Sequence, residues 1–157
     1  MRFLIDHLKF WCCCLTILIA IWLYPVSPIL ADQAATETPI EITISLSNAA
    51  NQLKFSPDKV QLVANKRYKL LLSNPSMQKH YFTAMDFSGS SWTQKVDAGN
   101  VEIKGAIREL ELRPGSSAEW VLVPMKPGNY IFRCSIPGHT EAGMIGTIVV
   151  DPASLKI

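Results

Sequence analysis

The chain has 157 residues, of which 48% are hydrophobic, 9% aromatic and 18% charged, and its formal net charge is +2. That apolar content excludes a disordered chain, and so small a charge gives no reason to expect a nucleic-acid partner. Eight glycines and ten prolines without a period exclude collagen-like and low-complexity classes.

The first residues read as a targeting segment. Met1 to Lys9 carries Arg2 and Lys9 against Asp6, and Phe10 to Leu23 is apolar except for Thr16. Pro25, Pro28 and Ile29-Leu30-Ala31 follow, then Asp32. A positive stretch, a greasy stretch and a small residue in that order predict an export signal over residues 1–31, cleaved after Ala31. The alternative is an uncleaved membrane anchor, because Phe10 to Leu30 approaches the roughly 20 apolar residues that span a bilayer. Cys12, Cys13 and Cys14 open the greasy run, whereas a lipid-modified cysteine would follow it.

Removing residues 1–31 changes the inventory. Thirteen basic and twelve acidic residues remain, so the net charge falls to +1. Cys134 is left as a single thiol, which makes a disulfide within the chain impossible. In an oxidising compartment a lone thiol needs burial, an intermolecular bond or a metal. Two histidines remain, His80 and His139.

Asp32 to Pro39 is polar and reads as a tether (residues 32–39) ahead of one domain (residues 40–157). Ile40 to Ser47 alternates strictly and predicts a half-buried strand. Phe55-Ser56-Pro57-Asp58 is a turn signal, followed by a strand over Lys59 to Val63. Ala64 to Arg67 turns the chain into a third strand, Tyr68 to Ser73, which Asn74-Pro75-Ser76 ends. His80 to Ala84 is short and β-prone. Asp86 to Gly105 fits no strand pattern and reads as a long insertion with room for one helical turn. Further strands are expected over Ala106 to Leu112, Ala118 to Val123, Tyr130 to Cys134 and Met144 to Val150. Seven or eight short strands with Gly/Pro turns predict an all-β Greek-key sandwich. Tyr68 and Trp120 are expected in its core; Met77, Met85 and Met125 read as core or surface residues.

One stretch carries chemistry. Cys134, His139 and Met144 lie five residues apart, between the end of one strand and the start of the next. The period of two puts Tyr130, Phe132 and Cys134 on one strand face, so the thiol should point into the sandwich. The intervening loop brings His139 and Met144 back toward it, and His80 begins another strand upstream. Two imidazoles, a thiolate and a weak thioether make a soft donor set that suits both oxidation states of copper. A zinc site would leave the methionine without a role.

Tyr130-x-Phe132-x-Cys134 and the run on to Val150 resemble the cupredoxins, the small blue copper proteins. The spacing is closest to rusticyanin-like and related bacterial members. The similarity extends more weakly to Phe55-Ser56-Pro57 and to Asn74 through His80. It implies a single type 1 copper ion with His80, Cys134 and His139 as equatorial ligands and Met144 as the axial one. Many cupredoxins follow the first histidine with Asn, whose side chain knits the two ligand segments; here Tyr81 stands there.

The resemblance implies a non-enzymatic, one-electron shuttle between Cu(I) and Cu(II), monomeric, in the periplasm or thylakoid lumen. It would sit at the membrane only if the leader is retained. Redox partner proteins are expected to dock near His139, against uncharged Pro137, Gly138, Ala142 and Gly143. A copper oxidase or nitrite reductase needs additional histidine-rich centres, and two histidines do not build one. The open alternative is an exported copper carrier or store, which shares every ligand. Glu141, beside His139, is expected in solvent.

Overall fold

A computed structural model describes residues 38–153. The expected leader, its cleavage point and nearly all of the tether lie outside the described residues. Among the described residues no helix is long and apolar enough to cross a membrane.

The described residues form eleven strands and one short helix: β1 (Ile40–Leu46), β2 (Phe55–Ser56), β3 (Lys59–Val63), β4 (Tyr68–Ser73), β5 (His80–Thr83), α1 (Met85–Gly89), β6 (Ser91–Ala98), β7 (Val101–Ile103), β8 (Glu109–Leu112), β9 (Ser117–Pro124), β10 (Gly128–Arg133) and β11 (Ile145–Asp151). They make a six-stranded sheet, β2-β1-β4-β9-β6-β7, and a five-stranded sheet, β3-β11-β10-β5-β8. β1 runs parallel to β4 and β3 parallel to β11, while the other neighbours are antiparallel. The all-β sandwich stands, with more strands than the seven or eight expected.

Sequence alternation built most of these elements. In β4, Tyr68, Leu70 and Leu72 are buried while Lys69, Leu71 and Ser73 are half-buried. In β11, Gly146, Ile148 and Val150 face inward. Each alternate apolar residue leaves water on one side of a pleated sheet, at roughly 25 cal/mol per Å² buried. The rings of Phe55, Phe82, Phe87, Trp120, Tyr130 and Phe132 meet in the core, with Phe82 stacked on Phe132 at 5.1 Å and Phe87 edge-on to Trp120 at 5.7 Å. Trp120 satisfies its indole N–H on Thr93 Oγ1 at 3.1 Å.

The stretch 86–105 corrects the sequence reading. It does hold the helical turn α1, but the rest is β6 and β7, and β6 lies inside the larger sheet beside β9. The register of β6 against β9 shifts between Thr93 and Lys95. This irregularity leaves Thr93 and Val96 as the buried positions, three residues apart instead of two or four. A bulge destroys the period of two that identifies a strand. Ala106 to Arg108, expected as strand, precedes β8 instead.

Two strand ends carry metal-ligating residue types to one end of the sandwich. β5 begins with His80, and β10 ends just before Cys134. Phe82 and Phe132, each two residues from these positions on the inward face, form the floor beneath them. Gly146 in β11 lets Phe132 lie flat against the sheet: a Cβ there would sit 2.3 Å from the Phe132 ring and 2.5 Å from the Asp58 carbonyl oxygen.

Candidate metal centre

Cys134 and Met144 bracket a nine-residue loop that is tied at its neck and across its middle. The neck extends the β10–β11 ladder, since the Cys134 N–H donates to the Met144 carbonyl at 3.1 Å. Within the loop the His139 N–H donates to the Ile136 carbonyl at 3.0 Å, and the Met144 N–H to the His139 carbonyl at 2.9 Å. The Thr140 hydroxyl reaches back to the Cys134 carbonyl at 2.9 Å. Gly143 takes φ of +105°, a conformation that L side chains rarely adopt, and so turns the chain into Met144.

The loop feeding His80 is held differently. Asn74 and Ser76 are both 1% exposed. The Asn74 amide donates to the Gln78 carbonyl at 2.7 Å and to the Leu112 carbonyl at 2.8 Å. Its carbonyl oxygen accepts from the Ser76 N–H at 3.1 Å and hydroxyl at 2.8 Å. One buried side chain thus bolts residues 74–78 to β8. The sequence presents Asn74-Pro75-Ser76 as an ordinary strand breaker, and nothing in it signals burial.

These loops bring His80, Cys134 and His139 together, with one nitrogen or sulfur from each lying within 4.8 Å of the others. Cys134 Sγ lies 3.5 Å from His139 Nδ1 and 4.0 Å from His80 Nδ1. With metal–N bonds of about 2.0–2.1 Å and metal–S of about 2.3 Å, a trigonal site needs N···S edges of about 3.8 Å. The observed separations bracket that value. His80 and Cys134 are fully buried and His139 half-buried. Met144 is fully buried in the same core, its backbone bonded to both Cys134 and His139.

Burial, with the nearby His139 second, pushes the His80 imidazole below its ordinary pKa. Its Nε2 is buried without a hydrogen-bond partner among the described residues. A metal ligand must be the neutral ring, so the lowered pKa keeps Nδ1, the nitrogen that faces Cys134, free to bind a metal.

Tyr81 donates its backbone N–H to Cys134 Sγ at 3.4 Å. Its side chain turns outward to Glu111, so the tie between the two ligand segments is this main-chain bond, while Asn74 fastens its own segment to β8. Met77, Met85 and Met125 are exposed, as is Glu141, whereas Tyr68 and Trp120 lie in the core.

The family model of the cupredoxin-like domain matches residues 14–150. The chain is a cupredoxin. Among curated relatives, the copper-resistant cuproprotein CopI of Rubrivivax gelatinosus is 26% identical over 127 residues, covering 76% of this chain and 70% of that protein. Among solved structures, auracyanin A of Chloroflexus aurantiacus, described as a "blue" copper protein, superposes with a TM-score of 0.52 at 18% identity, covering 73% of this chain and 100% of that one. A multicopper oxidase from Pediococcus acidilactici gives a TM-score of 0.58 at 17% identity, covering 85% of this chain. This cupredoxin spans only 30% of the oxidase chain, and the likeness is one of fold. Family and donor set agree on the cofactor, a copper ion.

Proposed function

We propose that this cupredoxin carries one electron at a time through a mononuclear type 1 copper centre. His80, Cys134 and His139 would hold the copper through two imidazoles and a thiolate, with the Met144 thioether as the weak fourth donor. The observation that carries this reading is the convergence of two imidazole Nδ1 atoms on one buried thiol, at 3.5 and 4.0 Å. Copper supplies the Cu(I)/Cu(II) couple, and the protein's part is to keep the donors still. Strand ends fix His80 and Cys134, and the loop's internal hydrogen bonds fix His139. Donors that barely move between oxidation states let electrons pass with little reorganisation.

The half-buried His139 is the exit for the electron. Around it Pro137, Gly138, Ala142 and Gly143 are exposed and uncharged, a surface suited to the small, transient contacts of redox partners. The chain works as an exported monomer, in the periplasm or thylakoid lumen. It is not an enzyme: with three histidines in the sequence, two of them in this site, no second copper centre of the oxidase kind can form.

A second reading has one specific support, the similarity to a copper-resistant cuproprotein. In it the same site sequesters or delivers exported copper. Loading with Cu(II), an optical and EPR spectrum and a redox titration test the centre. Self-exchange measurements then separate the readings. A shuttle keeps its copper against a Cu(I) chelator and exchanges electrons quickly, with a mild salt dependence. A carrier surrenders Cu(I) to the chelator and exchanges slowly, and that result would overturn the shuttle.

A further inference from the structure

The strand that starts with His80 is poorly held on its copper side. β5 and β10 share one register pair, Arg133 with Thr83, and then diverge around the site. Toward the metal end, the Tyr81 N–H to Cys134 Sγ contact bridges the gap. On its other side β5 is fully paired with β8, His80 opposite Leu112, Tyr81 opposite Glu111 and Thr83 opposite Glu109.

Both glutamates of β8 reach across to the residues flanking the site. Tyr81 donates its phenol hydroxyl to Glu111 Oε2. The Lys79 ammonium lies 3.3 Å from that phenol oxygen, 3.4 Å from Glu111 Oε2 and 5.4 Å from the centre of the Tyr81 ring. The hydroxyl, ahead of Lys79 and Arg113, holds the Glu111 carboxyl below its usual range. Glu109 Oε2 accepts from the Thr83 hydroxyl and, at 2.7 Å, from the hydroxyl of Ser135, the residue after Cys134. Exposed ion pairs contribute little by themselves, but hydrogen bonds to a charged carboxylate are the strong kind and fix direction.

We propose that β8 is a positioning strand for the copper thiolate, with Glu111 acting through Tyr81, and Glu109 through Ser135, to hold the sulfur and its N–H donor in register. The inference rests on Cys134 being the copper ligand. A hydrogen bond to sulfur withdraws density from the thiolate, on which Cu(II) depends more than Cu(I). The clamp therefore raises the potential, and loosening it lowers the potential.

Tyr81→Phe removes the hydroxyl and keeps the ring and the charge. The expected result is retained copper, a thiolate-to-copper band shifted from the wild-type position, and at least a threefold change in relative affinity toward Cu(II). That is a potential lower by about 30 mV. In the metal-free protein, exchange of the residue 81 amide hydrogen should become faster by a similar factor or more. Glu111→Leu removes the acceptor together with its charge and gives the sharper sign, because loss of a negative charge through space would raise the potential whereas releasing the clamp lowers it. A rise in Glu111→Leu, or a blue Tyr81→Phe protein with wild-type potential and amide exchange, would overturn the clamp alone. Wild-type protein without a thiolate band would overturn the ligand assignment and the clamp with it.

Discussion

The loop from Cys134 to Met144 and the loop from Asn74 to His80 do the same task by different means. The first is held by its own backbone, in bonds spanning two to ten residues, with Thr140 as an added tie. The second depends on buried side-chain amide and hydroxyl groups that fasten it to Leu112, far along the chain. A ligand loop can thus be rigid because it is short and closed, or because one buried side chain over-determines it. The second kind is more vulnerable to a single substitution, since a buried polar group without its partner costs more than the bond contributes.

The largest expected effect removes the ligand and spares both loops. Cys134→Ser should abolish the thiolate-to-copper band entirely, with circular dichroism close to wild type because serine is nearly isosteric. A surviving blue colour would refute the thiolate assignment.

Next comes the contrast between the loops. Asn74→Ala strands the Ser76 N–H and the Leu112 carbonyl in a buried position and should cost about 2–4 kcal/mol in chemical unfolding, with weakened copper retention. Thr140→Ala, at a half-buried site with the backbone ties intact, should cost about 1 kcal/mol. Equal costs in the two variants would mean that the loops are held alike.

Met144 belongs to the first loop by its backbone and to the core by its side chain. Met144→Gln offers a harder oxygen that favours Cu(II) and lowers the potential; Met144→Leu removes the thioether and raises it. A ten- to hundredfold change in relative affinity corresponds to shifts of about 60–120 mV in opposite directions. Leucine conserves volume and should cost less than about 1.5 kcal/mol of stability. A redox titration unmoved by either change, in protein still holding copper, would make Met144 a core residue only.

The smallest effect is in pH. The folded state lowers the pKa of His80, whereas the unfolded chain titrates it near 6.5. Below that value the unfolded state takes up a proton that the folded state refuses, so stability falls with pH. Metal-free protein should therefore unfold at lower denaturant at pH 5 than at pH 7.5, a window above the ordinary carboxylate range. His80→Gln should flatten the difference, and a flat wild-type profile would contradict the burial effect.

Local periodicity was enough to identify β1, β3, β4, β10 and β11, because each buries alternate residues, whereas β9, buried without a break from Trp120 to Pro124, was legible as a short apolar run between turn formers. The cluster of Cys134, His139 and Met144 was equally legible, since a loop closed by two paired strands brings its own ends together. The sequence did not reveal β6, whose bulge separates Thr93 from Val96 by three positions, nor the burial of Asn74 under β8. It also left Tyr81 as a departure from a family pattern, while the fold keeps its N–H on the sulfur and turns its ring outward to Glu111. Hydrophobic alternation is a property of neighbours in the chain, so the sequence alone determines the regularly alternating strands and the donor types. The partners of a buried amide, the strand opposite a bulge and the separation of His80 from Cys134 are set by residues dozens of positions away, and only the tertiary structure decides them.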